Sequence, residues 1–238
     1  RNHSSAASDV YKRQCIDSSA DVCSVVLSKS KQVLATRKSE RQYAHAEMLT
    51  IFIADILQQQ NLSIKHIDAI VYSSGPGSYT GLRIGSSVCK GLCYAHNIPF
   101  IAISTLQAMS SAFIKQHYEE DALYIPVIDA RRSDIYYSIY SASLQSIVPE
   151  KAMSLDSYSF QTYTKKQLYF FGNAAKKCEH TIDITNGFFF PFQHQASDLI
   201  DLGTEMFEAQ KFTDIVYFEP NYLKAWQAKT KKNKKLQL

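Results

Sequence analysis

The sequence is sparing with residues that cross-link or stiffen a chain. Among 238 residues there are five cysteines, one tryptophan, six prolines and eight glycines. The cysteines (Cys15, Cys23, Cys89, Cys93 and Cys178) are odd in number and include no Cys-x-x-Cys pair. That excludes a compact disulfide framework and fits reduced thiols in a reducing compartment. No apolar run approaches the roughly 20 residues that a membrane-spanning helix needs, and the N-terminal stretch has no apolar segment of the signal-peptide kind. The expectation is a cytoplasmic protein with no membrane partner. What is present is 45% hydrophobic, enough to bury a substantial core in one large domain or two small lobes.

Charge is unevenly placed. The net charge is +4, yet the stretch Lys224 to Leu238 holds six lysines and no acid, so residues 1–223 carry a net −2. Basicity belongs to the tail, 224–238, read as a solvated end with contact to RNA phosphates as the minority reading. At the other end "RNHSSAASDVYKRQ" is polar and runs straight into "CIDSS". Residues 1–14 resemble an adapter or assembly scar in place of a natural start, and they are set aside from the fold.

Half of the glycines fall in one place. "SSGPGSYTGLRIG", Ser73 to Gly85, carries four of them and a proline. Glycine lets consecutive N–H groups converge on an anion, which is how such loops hold phosphate. The spacing here is G-x-G-x-x-x-G, which matches neither the dinucleotide fingerprint nor a P-loop, since no Gly-Lys-Ser/Thr follows. A phosphate loop and a plain turn both remain open on this pattern.

Around that loop the chain punctuates itself clearly. "CIDSS" reads as the end of a buried strand, and Val22–Ser28 and Gln32–Arg37 as two more short strands, in a hairpin turned near Lys29–Ser30. In "YAHAEMLTIFIADILQQQ" the residues Met48, Leu49, Phe52, Ile53, Ile56 and Leu57 recur every three or four positions, which predicts an amphipathic helix. "HIDAIVYSS" is a strand. After the glycine loop, a helix begins with Thr80 as candidate N-cap, and "IPFIAIS" is a strand again. The order β-β-β-α-β-α-β is an antiparallel start followed by right-handed crossovers, as in the ribonuclease-H-like lobes of actin, Hsp70 and sugar kinases.

The second half repeats the theme more faintly. "TLQAMSSAFIKQH" reads as a helix, "ALYIPVIDARRSDIYYSIYSAS" as a hairpin turned at Ala130–Ser133, "QLYFFGN" as a strand and 196–210 as a late helix. The fold class expected is α/β with two such lobes, 15–104 and 105–223, the late helix able to pack back on the first.

"GPGSYTGLRIGSSVCKGLCYAHNIPFIAISTLQAM" resembles the signature of the TsaB (YeaZ) family. "IDSSADVCSVVLS", "YAHAEML", "DARRSDIYYSIY", "FGNAAKK" and "EPNYLK" follow in the order that family shows, so the resemblance covers roughly Cys15 to Lys224. It implies a non-catalytic scaffold in the making of threonylcarbamoyladenosine at position 37 of tRNAs reading codons that begin with A. The implied partners are a catalytic TsaD-type subunit and a TsaE-type ATPase, with a homodimer in isolation and tRNA met indirectly through the complex. The catalytic paralogue holds its metal with a His-x-x-x-His pair after the strand that follows the glycine-loop helix. This chain has Thr105 and Met109 there, and neither supplies an imidazole nitrogen. No catalytic residue and no metal ligand are therefore expected.

Individual side chains offer further readings. Asp17, Ser18 and Ser19 sit where actin-like ATPases place an acid and a hydroxyl against nucleotide. With Gly75, Gly77 and Ser78 they are the candidates for weak or vestigial ATP or ADP contact, no cofactor being required. Cys89, Cys93 and His96 share a helical face, as soft metal ligands or as an apolar stripe. His45 is a packing or capping residue unless a nucleophile faces it. Arg131 and Arg132 present charge to phosphate or shape a hairpin, and "GFFFPF" is taken as core. The candidate partner surface comprises Leu49, Phe52 and Ile56 from the first helix with Ser87, Val88, Gly91 and Leu92 from the second. The rival reading is an ATP-dependent kinase-like or metalloprotease-like enzyme of the same fold.

Overall fold

The computed structural model describes residues 11–39, 45–163 and 165–224. Residues 1–10 of the set-aside start, the side chain of His45 and residues 225–238 of the basic tail lie outside the described residues.

β1 (Lys12–Asp17), β2 (Ser24–Lys29) and β3 (Gln32–Lys38) form an antiparallel meander. α1 (His45–Gln59) and α2 (Tyr79–His96) then carry the chain to β4 (Ala69–Ser73) and β5 (Phe100–Ile103), both added parallel to β1. Parallel neighbours require such crossovers. The sheet order is β3-β2-β1-β4-β5. The apolar stripe of α1 explains its seat: Leu49, Phe52, Ile53, Ile56 and Leu57 are buried with Val25, Leu27, Ile70, Leu82 and Phe100 against one face of the sheet.

α3 (Thr105–Ile114) leads into the second sheet. There β6 (Leu123–Asp129), β7 (Asp134–Tyr140) and β8 (Ser146–Ser154) are antiparallel, while β9 (Leu168–Phe171), α4 (Ala175–Thr181) and β10 (Gly187–Phe190) add parallel strands on the other side of β6. The order is β10-β9-β6-β7-β8. Counted from the meander, the two sheets have the same plan, and each lobe is ribonuclease-H-like. The chain then returns. A 3-10 turn at Ala196–Leu199 and α5 (Ile200–Glu208) cover the other face of the first sheet, where Cys15, Val26, Val71, Ile101 and Ile103 meet Leu199, Ile200 and Leu202.

Three expectations need correction or refinement, and one strand was not foreseen. β1 begins at Lys12, so residues 12–14 belong to the fold: backbone pairing with β2 and β4 holds them whatever their side chains. The N-cap of α2 is Ser78, whose hydroxyl accepts the Gly81 N–H at 3.3 Å, and not Thr80. "GFFFPF" includes edge strand β10, where Phe189, Phe190 and Phe192 pack against the buried clusters as half-buried side chains while Phe188 is 45% exposed. Finally, β8 carried no strand signal, because its alternation is weak and Pro149 interrupts it, as edge strands tolerate.

Candidate functional site

Three of the loop's four glycines have separate steric reasons. Gly75 has φ +101°, a backbone that favours glycine, and follows with Pro76 through a cis peptide. A Cβ at Gly77 would overlap the Ser19 carbonyl oxygen, and one at Gly85 would overlap the Ser18 hydroxyl with the Tyr72 ring 2.8 Å away. The loop is thus pressed onto the end of β1, which brings Asp17, Ser18, Ser19, Gly77 and Ser78 together.

Their polar groups mostly face each other. Ser78 N–H donates to the Ser19 carbonyl at 2.7 Å. Asp17 Oδ1 accepts both the Ser19 N–H at 2.9 Å and its hydroxyl at 2.7 Å. The Ser18 hydroxyl lies 3.2 Å from the Tyr72 hydroxyl, which donates to the Leu82 carbonyl at 2.8 Å. Gly75 N–H donates to the Thr105 hydroxyl at 3.1 Å. From outside, the segment after Ile215 crosses the loop. Asn221 N–H donates to the Ser74 carbonyl at 2.8 Å, its side-chain amide donates to Glu150 Oε2 at 2.5 Å, and Lys224 pairs with Asp134. Glu150 also accepts the hydroxyl of Ser104. Burial pushes the Glu150 carboxyl above its ordinary range, although the hydrogen bonds from Ser104 and Asn221 work against that.

Behind the loop lies a network that the sequence reading missed. His194 Nδ1 is 2.9 Å from Asp198 Oδ2, and its Nε2 is 3.2 Å from the Ser73 hydroxyl and 3.7 Å from Asp17 Oδ1. Ser73 in turn shares a 2.8 Å hydrogen bond with Thr105. An acid, an imidazole and a serine in this order resemble a hydrolytic triad. Yet Ser73 is 0% exposed and its hydroxyl is engaged by Thr105, so no substrate carbonyl reaches it in this conformation. The local signal was only the His-x-x-x-Asp spacing, and Asp17 joins from the far end of the chain.

The helix surface divides in two. Leu49, Phe52 and Ile56 face inward and are buried in the first lobe's own core, which removes them from the partner surface. Period alone does not say which flank of a stripe reaches solvent. Ser87 and Gly91 are exposed, Val88 and Leu92 half-buried. Between α1 and α2, Thr50, Ile53, Ala54, Leu57, Ile64, Val88 and Leu92 line a groove of about 230 Å³. Among the described residues, a Cβ at Gly91 would meet nothing within 4 Å.

Other candidates disperse. Cys89 and Cys93 are buried, with the Cys93 thiol pushed up to about 12 by burial, while His96 is exposed. No group of three or more His, Cys, Asp or Glu among the described residues is placed to hold a metal. Arg131 and Arg132 are exposed on the β6–β7 turn at φ 69° and 51°, where Asp129 accepts the Arg131 N–H at 2.7 Å and pairs with Lys177 at 2.6 Å. Among the described residues no helix is long and apolar enough to cross a membrane.

Comparison with known proteins bears on this geometry. A family model described as "TsaD: tRNA N6-adenosine threonylcarbamoyltransferase" matches residues 32–235. "tRNA threonylcarbamoyladenosine biosynthesis protein TsaB" of Haemophilus influenzae is 32% identical over 124 residues, 52% of this chain and about half (51%) of that relative. The protein of the same name from Bacillus subtilis is 27% identical over 226 residues, 91% of this chain and 95% of the relative. In structure the chain is similar to "YeaZ from Pseudomonas aeruginosa", with a TM-score of 0.77 at 21% identity over 90% of this chain and 100% of that one.

Proposed function

From the premise that the chain belongs to the TsaD family and, within it, to the TsaB (YeaZ) proteins of tRNA threonylcarbamoyladenosine biosynthesis, we propose that it acts as a scaffold subunit rather than as the transferase. Its partner in this reading is a TsaD-type catalytic subunit, joined by a TsaE-type ATPase, with tRNA met only through the assembly. In isolation the same surface pairs two copies of the chain.

The observation that carries the reading is the α1–α2 groove. Half-buried Val88 and Leu92 supply apolar area over a groove floored by the buried Ile53 and Leu57, and Ser87 with Gly91 leaves room beside it for another helix to approach closely. Glycine within a helix costs about 0.5–1 kcal/mol relative to alanine. At Gly91 nothing in the lobe offsets that cost, because no atom of the described residues lies within contact distance of its missing Cβ. A second backbone over this spot gives the small residue a use.

The interior supports the same reading. Thr105 and Met109, at the positions where the resemblance puts the paralogue's histidine pair, are 1% exposed, and Thr105 spends its hydroxyl on Gly75 and Ser73. The loop's amides at Gly75 and Ser78 are likewise engaged within the chain, which leaves ATP or ADP only weak contact.

Co-purification with a TsaD-type subunit tests the proposal. Ser87→Glu places a charge on the rim of the groove and is expected to abolish pairing, with circular dichroism unchanged, since residue 87 is exposed. A folded Ser87→Glu protein that still pairs fully removes this surface as the interface. Threonylcarbamoyl transfer by the purified chain alone refutes the scaffold role.

A further inference from the structure

We propose that Asp17, His194 and Asp198 form a protonation-controlled pin that fastens two of the chain crossings between the lobes to the inner end of β4, stronger while the imidazole is a cation and weaker once it is neutral. The two crossings are the step from β5 into α3 at Ser104–Thr105 and the step from β10 into the 3-10 turn at 191–195. Both converge on Ser73, the last residue of β4. Its hydroxyl is 2.8 Å from Thr105 on the first crossing and 3.2 Å from His194 on the second. A hinge between lobes bends where the chain crosses, so a bond made at this point governs both crossings together.

Protonation changes what His194 can do there. As a cation it donates through both nitrogens, Nδ1 to Asp198 and Nε2 toward Ser73 and Asp17, and one positive charge lies between two carboxylates. When neutral, with Nδ1–H kept on Asp198, Nε2 carries a lone pair. It then accepts from Ser73 and faces the Asp17 carboxylate without compensating it. Asp17 is 0% exposed, and its Oδ2 has no hydrogen-bond partner among the described residues, so loss of the imidazolium leaves a buried anion uncompensated.

Other ionisable groups nearby leave this logic intact. Around Asp17, burial pushes the Cys23 thiol up to about 11 and the Tyr72 hydroxyl well above its ordinary range, so both stay neutral. Lys38 of β3 donates to the Gln193 side chain at 3.0 Å, at the exposed edge of the same crossing. Burial pulls His194 downward, but the Asp17 charge and the hydrogen bond and charge of Asp198 outweigh it, and the imidazole titrates above its ordinary value. The sign follows. A raised histidine contributes fully below about pH 6.5, the unperturbed value, and the contribution is lost as pH rises toward the folded-state value.

Hydrogen exchange on the full chain reads this directly. After correction for intrinsic exchange, protection of the amides at 193–198 is expected to fall as pH rises through that window, by at most about tenfold per pH unit, and to be flat in His194→Gln. A wild-type protein with pH-independent protection there overturns the pin, and so does a His194→Gln protein with the wild-type slope. If His194→Gln fails to fold, the ring resonances of His194 in the wild type decide. Titration above about pH 6.5, shifting downward in Asp17→Asn, upholds the proposal, and titration at or below that value ends it. None of these outcomes depends on whether the chain pairs with a TsaD-type subunit.

Discussion

Gln14 gives the strongest test of how β1 is seated. It lies in the centre of the first sheet, opposite Leu27 of β2 and Ile70 of β4, on the face shared with Ile16. It is 0% exposed, and among the described residues neither its Oε1 nor its Nε2 has a hydrogen-bond partner. Burying an unpaired amide costs about 1–3 kcal/mol by mutational measures. Gln14→Leu removes both orphan atoms and presents an apolar side chain to apolar neighbours. Imperfect shape takes back up to about 1.5 kcal/mol, and leucine's own burial roughly restores it, leaving a net gain of about 1–3 kcal/mol. At 2–4 °C per kcal/mol for a chain of this size, the thermal midpoint should rise by roughly 2–12 °C. Gln14→Glu should move it the other way, since a carboxylate there is buried without a cation. Circular dichroism melts with urea titrations give both numbers. A Gln14→Leu protein of native spectrum whose midpoint is unchanged or lower refutes the seating of residue 14 in the central strand.

Further outcomes follow from single atoms. Gly91→Ala should stabilise the isolated chain by about 0.5–1 kcal/mol, read from urea midpoints, because its Cβ enters open space on a helix. Gly85→Ala should destabilise by about 1–3 kcal/mol in the same assay, since the added methyl overlaps Ser18 and crowds Tyr72. Burial raises the Glu150 carboxyl, so its protonated form is the one the fold prefers. Stability is therefore lost as pH rises through the folded value, and Glu150→Gln should be more stable than wild type at about pH 7 but not below about pH 4.5. Calorimetric titration with ATP and magnesium should show only weak binding, the amides of Gly75 and Ser78 being engaged, and sub-micromolar affinity would favour the kinase-like rival.

Local chemistry made much of the fold legible. The stripe of α1 needed only its period, the β6–β7 hairpin only its alternation and turn residues, and the glycine loop only its composition, because each is decided by neighbours within a few residues. The residues "STLQAM" likewise announced on their own that no imidazole pair stands at 105 and 109. Other features depended on partners distant in the chain. Arg13 and Gln14 read as foreign to a strand until β2 and β4 supplied the backbone bonds that hold them. Leu49, Phe52 and Ile56 were read as surface because a periodic pattern gives a helix an apolar face but not the object it packs on, and here that object is the lobe's own sheet. His194 and Asp198 gained meaning only when the return of the chain from β10 laid the imidazole between Asp198 and Asp17. The likeness of the two lobes is the clearest case. No repeat is visible along the chain, yet the strand orders β3-β2-β1-β4-β5 and β8-β7-β6-β9-β10 are one plan. Backbone pairing and crossover handedness fix that plan and tolerate almost any set of buried side chains.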